Sequence, residues 1–172
     1  SGVFTVTATF SEDVTGFDMT DIAIGNGTAS GFVATSARVY TFDVTPTADG
    51  LVIVDLAEGV AQDLAGHLTP AAAQLTLTTD STAPSVVLST APLPAGITTY
   101  ISPVIVTATF SEDVTGFDLA DISVGDGTVS DFVAVSATEY TFSVKAANSD
   151  LVTVDLAAGV AHDAAGNLST IA

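Results

Sequence analysis

Carboxylates dominate the chemistry this chain offers. Glu12, Asp13, Asp18 and Asp21 form one cluster, and Glu112, Asp113, Asp118 and Asp121 repeat it at the same spacing. Two more acids open tight loops, Asp63-Leu-Ala-Gly-His67 and Asp163-Ala-Ala-Gly-Asn167. Paired carboxylates can hydrolyse glycosides. A sugar cleft, however, usually has aromatic walls, and here aromatics are 7% of residues with no Trp. A cluster present in both copies suits a repeated structural device better than a single active site. A hydrolase reading would rest on Glu112 or Asp113.

Calcium uses the same residues differently. Ca²⁺ takes 6–8 hard oxygens from carboxylates, amides and backbone carbonyls. The two Asp-led loops offer an acidic first residue and, in the second copy, the amide of Asn167. Asp, Asn and Gly are also ordinary turn formers, and Glu12 and Asp13 are able to cap backbone amides. Both readings stand open at this level, and the full ligand pattern of an EF-hand loop is absent.

The charge balance narrows the partners. Across 172 residues there are 20 Asp+Glu against 2 Lys+Arg, a formal net charge of −18. Arg38 and Lys145 alone cannot displace phosphate counterions, which excludes nucleic-acid binding and attachment to an anionic membrane. With 48% hydrophobic residues the chain is too apolar for acidic disorder. No Cys is present, which removes disulfides, thiol catalysis and Cys-ligated metals. His67 and His162 read as exposed loop residues and build no triad. The charge-free stretch 81–111 holds four Pro and many Ser and Thr, so it is not a membrane span. Without an initiator Met or a signal peptide, the chain is expected to be a segment of something longer.

Positioning these acids falls to an internal repeat. Residues 7–18 recur at 107–118, and 59–67 recur at 159–167, both offset by 100. Laid without gaps, 1–72 and 101–172 agree at about 42 positions. The acids divide ten to each copy, with Asp80 counted in the first. The expected domains are 1–80, lacking its first strand, and 81–172, lacking its last.

Period-two alternation predicts all-β structure. Val6, Ala8 and Phe10 alternate with Thr; Tyr40, Phe42 and Val44 alternate with Thr41 and Asp43; Val52, Val54 and Leu56 alternate with Ile53 and Asp55. Further strands are expected at about 73–79 and 85–89. Asn26-Gly27 and Asp126-Gly127 read as hairpin turns, and Asp18 as the N-cap of one short helical turn. About seven strands per period fit two tandem Ig-like antiparallel β-sandwiches. The linker Thr79-Asp-Ser-Thr-Ala-Pro84 is short and ends in Pro, so it is semi-rigid. In such a sandwich Glu112, Asp113, Asp163 and Asn167 share the pole where the chain enters, near linker Asp80. Asp49, in the turn 46–50, is expected to face the same gap. Glu12, Asp13 and Asp63 make the equivalent set facing a preceding repeat, weakened by His67 in place of Asn.

Three motifs at fixed spacing carry a family resemblance. These are Phe10-Ser-Glu-Asp-Val-Thr-Gly-Phe-Asp18 with Asp21-Ile22, Gly159-Val-Ala-His-Asp-Ala-Ala-Gly-Asn167 and its first-copy form, and Asp80-Ser-Thr-Ala-Pro84. The chain resembles the bacterial immunoglobulin-like tandem repeats of large secreted surface adhesins and extracellular fibre proteins. That resemblance implies an extracellular or cell-surface location, neighbouring repeats as partners, and Ca²⁺ at or near domain junctions. The expected function is a non-enzymatic spacer, stalk or filament module stiffened by calcium. Alternatives are a filament of identical chains joined by strand complementation, and a module that binds a glycan or protein.

Overall fold

The computed structural model describes residues 2–92, 102–148 and 151–172, and the chain divides into two units at Ser81/Thr82. Each unit builds its own core, so each is described by itself.

In the first unit the alternating segments become strands with one buried face. β1 (Phe4–Thr9) turns Ala8 inward and Thr5, Thr7 and Thr9 to solvent. A two-residue strand, β2 (Val14–Thr15), follows. Then come β3 (Ile22–Gly25), β4 (Gly27–Ala34), β5 (Val39–Pro46), β6 (Gly50–Leu56), the short β7 (Gln62–Asp63) and β8 (Leu75–Thr79). One sheet has the order β1-β5-β4, the other β3-β6-β8, and β2 pairs with β7. All pairings are antiparallel. Phe42, Val44 and Val52 are fully buried between the sheets, as the alternation requires.

The second unit repeats this plan. Its strands are β9 (Val86–Thr90), β10 (Val104–Phe110), β11 (Ile122–Gly125), β12 (Gly127–Ala134), β13 (Glu139–Ala146) and β14 (Thr153–Leu156). One sheet runs β12-β13-β10-β9 and the other β11-β14. Among the described residues, β9 has no counterpart in the first unit and β8 none in the second.

Both cores share an aromatic knot. Phe10, Phe17, Phe32 and Tyr40 meet mostly edge to face, with centroids 5.1–5.7 Å apart. Phe110, Phe117, Phe132 and Tyr140 reproduce it at 5.1–5.8 Å. Such offset and edge contacts match the ring quadrupoles. The Tyr140 hydroxyl donates to Val114 O at 3.2 Å, and Tyr40 does the same to Val14 O at 3.3 Å. This fixes the loop that carries the Glu-Asp pair. Burial, with a smaller push from the nearby Asp113 charge, raises the Tyr140 phenol above its ordinary range.

Two expectations need correction. Asn26-Gly27 and Asp126-Gly127 are not hairpin turns. β3 pairs with β6 while β4 pairs with β5, so the chain changes sheets at Asn26; Asp126 does the same between β11 and β12. The left-handed backbone that the dipeptide favours is present (φ 57° and 55°). It turns a corner between layers instead of closing a ladder, because both flanking strands bury apolar residues on different sheets. Gly27 and Gly127 are required there: an added Cβ would lie 3.0 and 2.9 Å from the carbonyls of Thr45 and Lys145. The last strand of the first unit also starts at Leu75, two residues later than expected.

Candidate metal site

The repeated acidic cluster separates into two parts with different roles. Asp18 and Asp118 cap single 3-10 turns, Met19–Asp21 and Leu119–Asp121. The Thr20 N–H donates to Asp18 Oδ1 at 2.7 Å, and the Asp18 N–H donates to Asp21 Oδ2 at 2.8 Å. The second unit repeats both bonds. These four acids close reciprocal capping boxes and are spent on backbone amides. The hydroxyl of Thr20, then its N–H, hold the Asp18 carboxyl below the usual carboxylate range.

The loop acids are the remaining part. In the second unit Asp163 is only 4% exposed. Its Oδ1 accepts the Asn167 N–H at 2.9 Å and its Oδ2 accepts the Asn167 amide Nδ2 at 2.8 Å. Gly166, at φ 89°, lets the chain reverse so that the Asp163 N–H reaches Asn167 O at 3.2 Å. Burial pushes the Asp163 carboxyl up. Bonds from the Asn167 side chain and from the N–H groups of Asn167, Ala165 and Gly166 outweigh it, and the net shift is downward. The carboxylate therefore stays ionised while buried. A carboxylate oxygen of Glu112 lies within 4.8 Å of one on Asp163. The expected meeting of these two loops at one pole is what the second unit shows. Asn167 belongs to the same cluster through its amide; Asp113 stands next in the chain to Glu112.

The entering chain is tied to this pole. Ser111 N–H donates to Ser85 O at 2.9 Å, Ser85 N–H donates to Ser111 Oγ at 3.0 Å, and Thr170 N–H donates to Pro84 O at 2.8 Å. Ser111 directly precedes Glu112.

The first unit uses the same scaffold differently. Asp63 Oδ1 accepts N–H groups of Ala65 and His67, each at 2.8 Å, and its Oδ2 lies 2.8 Å from His67 Nδ1. That side-chain bond, then the Asp63 charge, raise the imidazole pKa above its ordinary value, with a smaller pull from Glu12. The bond lowers the Asp63 carboxyl in turn. Asp13 is taken by Arg38, whose Nε approaches Asp13 Oδ1 at 2.6 Å. Position 138 of the second unit is Thr, so this cation is not repeated. A side chain that becomes cationic on Asp63 and a guanidinium on Asp13 leave the first-unit set less suited to a metal than the second.

Asp49 has a definite local task. Its Oδ1 accepts both the N–H and the hydroxyl of Ser81 at 2.8 Å, fastening the segment after β8 to the β5–β6 turn. Asp80 lies one residue beyond β8 and is exposed. The Asp49–Ser81 clasp and the Arg38–Asp13 pair were not read from the sequence. The second had a signal, since Arg38 is the one Arg and stands where the copies differ.

No curated protein and no solved structure matched the chain in comparison. A family model described as bacterial Ig-like domain matches residues 1–79 and again residues 80–172. With the whole length covered by two adjacent matches and two sandwich units built on one plan, this chain belongs to the bacterial Ig-like domain family, as two consecutive copies.

Proposed function

We propose that the chain is a structural spacer of an extracellular bacterial fibre or adhesin, with calcium stiffening its junctions. Bacterial Ig-like domains are typical of surface and extracellular proteins and are generally structural rather than enzymatic. No helix among the described residues is long and apolar enough to cross a membrane. The observation that carries the spacer reading is the doubled plan: two units with separate, equivalent cores, joined by a short acidic segment.

The calcium part rests on Glu112 and Asp163. Two carboxylates this close repel unless a cation screens them. Asn167 adds an amide oxygen of the kind Ca²⁺ accepts. Asp80 is taken as a further ligand on chain length alone. It lies four residues ahead of Pro84, which is tied to this pole, and four extended residues span roughly 13 Å.

The test is thermal unfolding in EDTA and in Ca²⁺. With a dissociation constant of about 10⁻⁴ M, usual for extracellular modules, roughly 10 mM Ca²⁺ adds about 2.7 kcal/mol to the unit that binds it. At about 4–8 °C per kcal/mol for a domain of this size, its Tm rises by roughly 10–20 °C. Superimposable curves would remove calcium from the account and leave the spacer.

A further inference from the structure

The outer face of the four-stranded sheet in the second unit carries two charges with nothing beside them to answer. Glu139 and Lys145 both point outward from β13, while Tyr140, Phe142 and Val144 between them point into the core. Six residues of strand separate the two, roughly 20 Å, so they cannot meet within one molecule. Among the described residues neither forms an ion pair. Lys145 is the one Lys of the chain, and the one Arg is already held by Asp13.

Around these charges the face is apolar or neutral. Val87 on β9, Ile105 on β10 and Val133 on β12 are 66%, 63% and 53% exposed. Thr107 and Thr141, paired across β10 and β13, lie between them. β-branched side chains have few rotamers to lose, so covering this face costs little side-chain entropy. The other acid nearby, Asp131, sits in the bulge of the edge strand β12 and accepts the Ser130 hydroxyl at 3.0 Å. The first unit lacks the pattern. Thr5, Val39 and Thr45 stand where the second has Ile105, Glu139 and Lys145, and the Thr5 hydroxyl donates to Asp43 at 2.7 Å.

We propose that this face is a self-association surface, on which two copies of the chain pack sheet to sheet about a two-fold axis. The axis lies between the two faces, perpendicular to the strands, and crosses β13 at Phe142 and β10 at Val106, which are register partners. It reverses strand direction. Glu139 therefore meets the partner's Lys145, and Lys145 meets the partner's Glu139, as an isologous contact requires. Ile105 faces the partner's Thr107, and Thr141 the partner's Ser143. Stacked sheets lie about 10 Å apart and about 30° from parallel, which displaces the paired charges by roughly 5 Å, within reach of a Lys side chain. A sheet of four short strands offers roughly 400 Å² per copy, half the standard interface, so the dimer is weak and reversible, with Kd roughly 0.1–1 mM.

The test is an NMR dilution series of the 172-residue protein, read by amide shifts and translational diffusion. EDTA removes any calcium bridge, and salt at about 0.15 M screens long-range repulsion beyond about 8 Å while leaving contact pairs. Concentration-dependent shifts are expected on β9, β10, β12 and β13, with slower diffusion at high concentration. Glu139→Lys and Lys145→Glu each weaken association about tenfold, because like charges then meet at both ends of the contact. Mixing the two variants restores it, since every cross-contact is again between opposite charges, and the double variant associates like the parent. Glu139→Lys is the sharpest arm: it makes the chain less negative, so association limited by net repulsion alone would strengthen. Absence of any concentration dependence, shifts confined to other strands, stronger association of Glu139→Lys, or no recovery in the mixture would each overturn the proposal.

Discussion

Leu56 and Leu156 occupy the same register in the two units, opposite Ile22 and Ile122, yet their surroundings differ. Leu156 is 1% exposed in a closed core, whereas Leu56 is half-buried on the wall of an open groove. Leu→Ala in a sealed core costs the lost transfer energy plus a cavity term, about 2–5 kcal/mol. At a site already open to solvent little new cavity forms and less area is lost, so about 1–2 kcal/mol is expected. Leu156→Ala should therefore lower the Tm of the second unit by roughly 8–40 °C, and Leu56→Ala that of the first by roughly 4–16 °C. Amide hydrogen exchange read separately for each unit gives both losses on one sample. Equal losses would mean that Leu56 is as enclosed as Leu156, against its half-buried position.

Other expectations are narrower. Gly31 has φ 62°, and a Cβ there would lie 2.9 Å from Asp43 Oδ2, whereas the second unit holds Asp131 at φ 54° in the same bulge and has Ser143 in place of Asp43. Gly31→Asp should destabilise the first unit by about 1–3 kcal/mol through left-handed strain and charge repulsion, and adding Asp43→Ser should recover much of it in chemical denaturation. Tyr140→Phe removes the hydroxyl that holds Val114 O and should cost about 1 kcal/mol in the second unit, measured by urea unfolding. The Asp18 carboxyl is held low by Thr20, so its stabilisation is fully present above the unfolded carboxylate pKa and is lost as pH falls through the lower folded value. Thr20→Ala should move that loss to higher pH, visible in an NMR titration of the Asp18 carboxyl. Asn167→His should weaken calcium binding by the second unit, since it recreates the Asp63–His67 pairing, and calorimetry with Ca²⁺ would show it.

Much of this architecture could be read from the residues because β-structure writes burial as alternation. Tyr40, Phe42 and Val44 declared their face, and their second-copy equivalents confirmed its phase. The corner at Asn26 was misread because a left-handed Asn-Gly pair serves a hairpin and a change of sheet equally well. Only long-range pairing distinguishes them. At the loops, the meeting of Glu112 with Asp163 followed from sandwich topology. The N-cap role of Asp18 was legible too, but the return bond by which Asp21 closes the box was not, since acid types and spacing are the same for a cap and a ligand. The Asp49–Ser81 clasp was invisible for a simpler reason: a hydrogen bond between residues 32 apart leaves no local pattern.

Calcium binding proposed for the second unit falls on buried Asp163 and neighbouring Glu112. Calorimetric titration of the 172-residue protein with Ca²⁺, beside its Glu112→Gln and Asp163→Asn variants, tests it most directly. Saturable binding near 10⁻⁴ M is expected in the parent, weakened at least tenfold by either substitution. Heat without saturation, or three indistinguishable isotherms, would contradict it.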